Sequence, residues 1–163
     1  MTFAVDESLE SLLTRTRELH GKKLVLRGSA GHKGRVGDEI ERLLLGQSAG
    51  SRKTSDHPAA EIKSVPVFGN LVVERVKLGV LSEHSNPLLK CASVLFVFVE
   101  KRGDAYFVRG HHYVAFSDGE WQTLWDQGLL VETAAGSTEH RARGLYLNPG
   151  FFRTRAIWPQ RAP

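Results

Sequence analysis

A single cysteine, Cys91, and a single methionine stand among 163 residues. One thiol excludes an intrachain disulfide framework and any zinc site built on several cysteines. The seven histidines do not restore a zinc site, because His57, His84 and Cys91 fall at no standard ligand spacing. No apolar run approaches the roughly 18 residues that read as a membrane-spanning helix. The first ten residues carry acid where a secretory signal carries positive charge. A cytoplasmic protein with no membrane partner is therefore expected. Internal repeats, low-complexity tracts and linker-like stretches are also absent. The length suits one hydrophobic core, so a single domain over 1–163 is expected. The loop Gly28 to Gly34 lacks the Gly-Lys-Ser/Thr ending of a nucleotide-binding P-loop. Ser29 and Ser51 sit in glycine-rich loops with no Ser-His-Asp arrangement around them.

What is present is ordinary in amount and uneven in placement. Apolar residues make up 41% and charged residues 25% of the chain, which excludes bulk disorder and fibrous classes. The net charge is +4. Eight Lys/Arg stand against four Asp/Glu from Gly21 to Asp56, and five Arg against one Glu from Ser137 to Pro163. Two basic stretches framing a more neutral middle suit a polyanionic partner as well as they suit a plain basic surface.

Apolar spacing predicts a helix over 7–20, with Leu9, Leu12, Leu13, Thr16 and Leu19 on one face and Gly21 as the stop. A short extended piece at 24–26 follows. A second helix over 35–45 carries Val36, Ile40, Leu43 and Leu44 on one face and ends at Gly46. Glu41 borders that stripe, where a carboxylate points either into a cleft or to open surface. Strands are predicted over 60–67, 71–78, 93–99, 105–109, 113–116 and 145–147. Ser117 and Glu120 form a capping-box pattern for a helix to Gln127, with Trp121 and Trp125 expected in the core. The fold class is α/β, with a mixed central β-sheet flanked by α-helices.

The candidate constellation is Glu41, Asp56, Glu61 and Lys63. Side chains alternate along a strand, so Glu61-Ile62-Lys63 puts an acid and an amine on one face. Asp56 stands just upstream. Carboxylates converging on one point make a hard-oxygen site suited to Mg²⁺. A lysine beside such a site assists an attacking water, and the metal lowers the pKa of that water. This is the minimal equipment for phosphodiester hydrolysis. The same spacing also describes a solvent-facing ion pair on an edge strand.

The surrounding residues add a family resemblance. Gly34-Arg35-Val36-Gly37-Asp38-Glu39-Ile40-Glu41, Gln47-Ser48-Ala49-Gly50-Ser51, Asp56, and Glu61-Ile62-Lys63-Ser64-Val65-Pro66-Val67 follow one another in order. This series resembles the catalytic half of the MutH-like endonucleases, which comprise the mismatch-repair endonuclease and related GATC-cutting restriction enzymes of the PD-(D/E)XK type. The resemblance covers about 31–67 and continues more loosely to about 155. It implies a restriction-endonuclease-like fold and a metal-dependent DNA endonuclease. It implies Asp56, Glu61 and the Ile62 carbonyl as Mg²⁺ ligands, with Mn²⁺ as a substitute. It also implies Lys63 as the catalytic lysine, Glu41 as the helix glutamate completing the site, and Lys33 and Lys90 as further functional lysines near DNA. Arg143-Gly144-Leu145-Tyr146-Leu147 resembles the family's Arg-Gly-Phe-Tyr-Leu, which implies DNA contact by Arg143 and Tyr146.

The implied partners are double-stranded DNA, a mismatch-repair or restriction partner protein, and a second copy of the chain in a homodimer where both strands are cut. Four residues separate Asp56 from Glu61, fewer than in the family pattern, and the chain is shortened between about 110 and 140. GATC specificity is not among the expectations. The rival expectation is a non-catalytic basic DNA-binding protein on the same scaffold.

Overall fold

The computed structural model describes residues 8–28, 34–46, 57–82, 86–134, 143–155 and 157. In chain order these form α1 (Leu9–Glu18), α2 (Arg35–Leu45), β1 (Glu61–Val67), β2 (Val76–Leu81), α3 (Pro87–Lys90), β3 (Ser93–Arg102), β4 (Ala105–Ala115), α4 (Asp118–Asp126), β5 (Leu130–Ala134), β6 (Arg143–Leu147) and α5 (Gly150–Thr154). The class is α/β, as expected.

The expected single mixed sheet is instead two three-stranded sheets. One has the order β1-β3-β4, with β1 parallel to β3 and β4 antiparallel to it. The other, β2-β6-β5, is antiparallel throughout. The division begins at a tight turn after β1. Phe68 and Leu71 exchange backbone hydrogen bonds of 2.9 and 3.0 Å, and Gly69 at φ +61° supplies the left-handed residue that the turn needs. Regular pairing resumes only at Val76, against β6 and not β1, so the strand expected over 71–78 runs over Val76–Leu81. Leu71 and Val73, within the expected strand, are exposed.

β3 explains how the layers hold together. Val94 through Val99 are all buried, as its unbroken apolar run requires of a strand covered on both faces. Val94, Phe96 and Phe98 share a core with Val65 and Val67 of β1, Val76 and Leu78 of β2, and Phe151 and Phe152 of α5. Leu95, Val97 and Val99 pack on the other face with Leu12 of α1 and Ile40 and Leu44 of α2. The Phe96 and Phe98 rings meet Phe152 edge-on at 5.2 and 6.0 Å, an arrangement favoured by the ring quadrupoles.

β4 is one long strand where two short ones were expected. The ladder carries through the expected gap, with His112, His111 and Gly110 opposite Phe96, Val97 and Phe98; a bulge follows, since Val99 pairs with Val108 and leaves Arg109 as the extra residue. Arg109 turns that position to use by reaching Glu100 of β3. The extended piece before α2 lies along this strand, with Leu24 N–H donating to the Tyr106 carbonyl at 2.8 Å. α2 follows the expected boundaries and ends at Gly46 with φ +81°. Its buried face differs by one residue, since Leu43 is exposed and Glu39 is buried. Arg42 makes that burial tolerable through two bonds to the Glu39 carboxylate, at 2.6 and 2.9 Å. Those bonds hold the Glu39 carboxyl below the usual carboxylate range. α4 has the expected capping box between Ser117 and Glu120. Trp121 is buried against Phe116, whereas Trp125, expected in the core, is exposed.

The end of α1 is tied to β4 by two imidazoles. His20 Nε2 and His111 Nδ1 are 2.7 Å apart, so one ring donates and the other accepts. Burial, then the nearby His20, Arg17 and His112, lower His111 from its ordinary value to about 4. The folded state thus binds fewer protons here than the unfolded chain below about pH 6.5. This contribution to stability is fully present above that pH and is lost as pH falls toward 4. Urea midpoints should therefore fall between pH 6.5 and 4, and His111→Gln should flatten the slope; an unchanged slope in the variant contradicts the assignment.

Candidate active site

β1 is an edge strand whose register with β3 pairs Glu61 with Val94 and Lys63 with Phe96. Alternation sends Glu61 and Lys63 to the same side as Val65 and Val67. Lys63 Nζ lies 3.4 Å from Glu61 Oε1. Because β3 runs parallel to β1, the residues just before β3 arrive beside the start of β1. Lys90 is one of them, and its Nζ lies 3.3 Å from the same Glu61 oxygen. Glu61 is only 2% exposed, and both lysines are mostly buried. A carboxylate withdrawn from water is costly unless compensated, and two ammonium groups on one oxygen offset that cost.

The position of Lys90 depends on how α3 docks. Asn86 caps the short helix by accepting the Leu88 N–H at 3.0 Å, and Pro87 opens it. Pro87 rests on Gly79 of β2, where a Cβ would stand 2.7 Å from the Pro87 Cβ and where φ is +154°. Cys91 Sγ, at the other end of the helix, lies 3.7 Å from the Leu78 carbonyl. The lone cysteine is thus a buried packing group of this joint.

Beside this cluster is a cleft of about 370 Å³, lined among others by Gly37, Glu41, Lys63, Ser64, Arg75 and Lys77. α2 lies against β1 at Gly37, where a Cβ would stand at ordinary contact distance, 3.5 Å, from Ser64 Oγ. Glu41, four residues on and so on the same helix face, reaches the cleft as expected. Ile62 also borders it. Glu61 does not line the cleft, and its contact with it runs through Lys63.

Arg75 and Lys77 were not singled out by the sequence reading. They flank the buried Val76, both exposed themselves, on the wall that belongs to the second sheet. The alternation Arg75-Val76-Lys77 is a signal for a basic strand face, but the supposed strand over 71–78 obscured it. Lys77 pairs across the sheet with Tyr146. The Tyr146 ring lies over Gly144, where a Cβ would come within 2.5 Å of Cε2, so the missing side chain of Gly144 sets the direction of Tyr146. Arg143 sits at the far end of β6, exposed and 3.3 Å from Glu132.

The structure thus brings Glu61, Lys63 and Lys90 into contact and Glu41, Ile62 and Lys63 into one cleft. Tyr146 stands opposite Lys77 of the cleft wall, and Arg143 stands apart. Asp56 and Lys33 lie outside the described residues. Among the described residues no group of three or more His, Cys, Asp or Glu side chains is gathered to hold a metal. The oxygen donors that are described, from Glu41, Glu61 and Ile62, suit a hard divalent cation in kind. No helix among the described residues is long and apolar enough to cross a membrane. No known protein-family model matches the chain, and no curated protein is significantly similar to it.

Two lysines sharing one buried carboxylate predict non-additive energetics. Lys63→Met and Lys90→Met should each cost about 1 kcal/mol, because the other ammonium remains. The double variant should cost more than the sum, toward the roughly 3–5 kcal/mol of a broken buried pair. Strict additivity in urea denaturation contradicts the shared arrangement.

Proposed function

We propose that the protein is a Mg²⁺-dependent endodeoxyribonuclease on a restriction-endonuclease-like scaffold of the MutH-like kind. The observation that carries this reading is the meeting of Glu61, Lys63 and Lys90 at the edge of β1, beside a cleft with Glu41 on one wall and Arg75 and Lys77 on another. A solvated surface ion pair needs neither burial nor a second lysine from a distant segment.

In this reading the backbone of duplex DNA lies in the cleft. Arg75 and Lys77 bind phosphate oxygens, which fixes the strand without reading its bases. Lys63 donates to the attacking water or to a non-bridging oxygen of the scissile phosphate. Glu61 holds that ammonium in place, and Glu41 supplies negative charge across the cleft. Glu61, the Ile62 carbonyl and Asp56 would hold the cation, which when bound lowers the pKa of its water and offsets charge on the phosphoryl group. The water oxygen bonds to phosphorus, the bond from phosphorus to O3′ breaks, and a proton passes to O3′. The products are a 5′-phosphate and a 3′-hydroxyl. One chain carries one such site and nicks one strand; two copies cut both. Restriction and repair are the settings this chemistry serves, with a restriction or mismatch-repair protein as partner.

The second reading is a basic DNA-binding protein without catalysis. It draws on the same contact, because a carboxylate with two ammonium neighbours is already compensated without a metal. Incubation with supercoiled plasmids from modifying and non-modifying hosts separates the two. The nuclease reading expects relaxation or linearisation only with Mg²⁺, reduced at least about 100-fold in Lys63→Ala with binding retained. Salt-sensitive binding with no cutting in Mg²⁺ or Mn²⁺ overturns it in favour of the second. In either case Arg75→Ala and Lys77→Ala should each weaken binding and reduce the salt slope by about one; an unchanged slope removes these residues from the interface.

A further inference from the structure

We infer that a recess adjoining the cleft receives a single unstacked nucleobase of the bound DNA. The inference rests on the reading of the cleft as a DNA site and extends it to a base-binding site. The recess has a volume of about 270 Å³ and is lined among others by Val36, Ser64, Phe68, Glu74, Lys101 and Tyr106. Ser64 and Glu74 also line the cleft, so the two spaces adjoin along β1 and the turn that follows it. A group leaving the strand held in the cleft has this recess beside it.

The lining has the composition that a base needs. Tyr106 offers an aromatic ring, with Lys101 Nζ 5.7 Å from its centre, and Phe68 offers a second ring. Aromatic faces stack on every base, which makes such a site tolerant of sequence. Ser64 contributes a hydroxyl, Glu74 an acceptor and Lys101 a donor, the kinds of partner that a base edge presents. The volume lies just under the roughly 300–1,000 Å³ of pockets for drug-sized ligands, which suits one ring system and not a dinucleotide.

A second observation concerns the mouth. Phe68, Leu71 and Val73 are 50%, 51% and 54% exposed, although all three are large apolar side chains. The paired backbone bonds between Phe68 and Leu71 fix the turn that displays them. DNA-bending proteins insert such side chains between base steps and so open the stack. Phe68 belongs to both the exposed tip and the recess. A base displaced at the tip is thus delivered to the Tyr106 face, with Phe68 as the second ring of the recess, while Leu71 or Val73 occupies the space that it leaves.

The test uses duplexes in which 2-aminopurine is walked through the bound region, with Ca²⁺ present to permit binding without cutting. The full-length protein should shift the probe's emission at one position only. There Tyr106→Leu should brighten the probe several-fold, because the stacking ring that dims it is removed, and should weaken binding by about tenfold, the loss expected for one stacked base. Tyr106→Phe should match the native protein in both, which separates stacking from a folding defect. A duplex that binds while no position responds overturns the inference and leaves the nuclease reading intact. If no duplex binds, the DNA reading of the cleft fails. The recess is then judged by millimolar nucleoside 5′-monophosphates in protein NMR: shifts centred on Tyr106 and Lys101 uphold a base site, and their absence removes it.

Discussion

A single buried carboxylate organises this molecule's candidate chemistry. Glu61 stands at the first residue of an edge strand, almost wholly removed from water, with Lys63 and Lys90 on the same oxygen. Burying that charge is unfavourable unless it is compensated, and Lys90 is close only if β1 and β3 run parallel in their observed register. The electrostatic requirement of the site and the pairing of the mixed sheet are therefore one constraint.

Several small features serve that constraint from a distance. Gly79 accepts Pro87 without a clash and so seats the helix that carries Lys90. Cys91 closes the other end of the same joint. Gly144 leaves room for the Tyr146 ring opposite Lys77. None of these residues has chemistry of its own; each controls where a reactive or cationic side chain stands. The phenylalanines of β3 and α5 supply the apolar mass against which these joints are held.

How much of this was legible in the sequence varies with the physical cause. Period-two alternation placed Glu61 and Lys63 on one face, and the apolar run over 93–99 marked the central strand; both are local patterns, and both stand. The helices α1, α2 and α4 were legible from their spacing and stop or cap residues. Lys90 was singled out only through the family resemblance, as a lysine near DNA, and its contact with Glu61 was not expected, because that contact depends on strand pairing that no local pattern encodes. The separation into two sheets was missed for the same reason: Leu71, Val72 and Val73 extend the apolar run toward Val76 without joining the ladder. Pairing of Gly110, His111 and His112 joins two expected strands into one, and α3, α5 and β5 are too short to show a period. Arg75 and Lys77 went unremarked because no local pattern shows that their common face turns to the cleft.

The central claim is that the Glu61 carboxylate takes part in breaking a phosphodiester and is not merely a structural anion. The most direct test is the single-turnover cleavage rate of supercoiled plasmid in Mg²⁺ by Glu61→Gln, which keeps the shape of the side chain and removes its charge. The account predicts a loss of at least about 100-fold relative to the native protein, with unchanged circular dichroism and DNA affinity. Cleavage at the native rate by a correctly folded Glu61→Gln contradicts it.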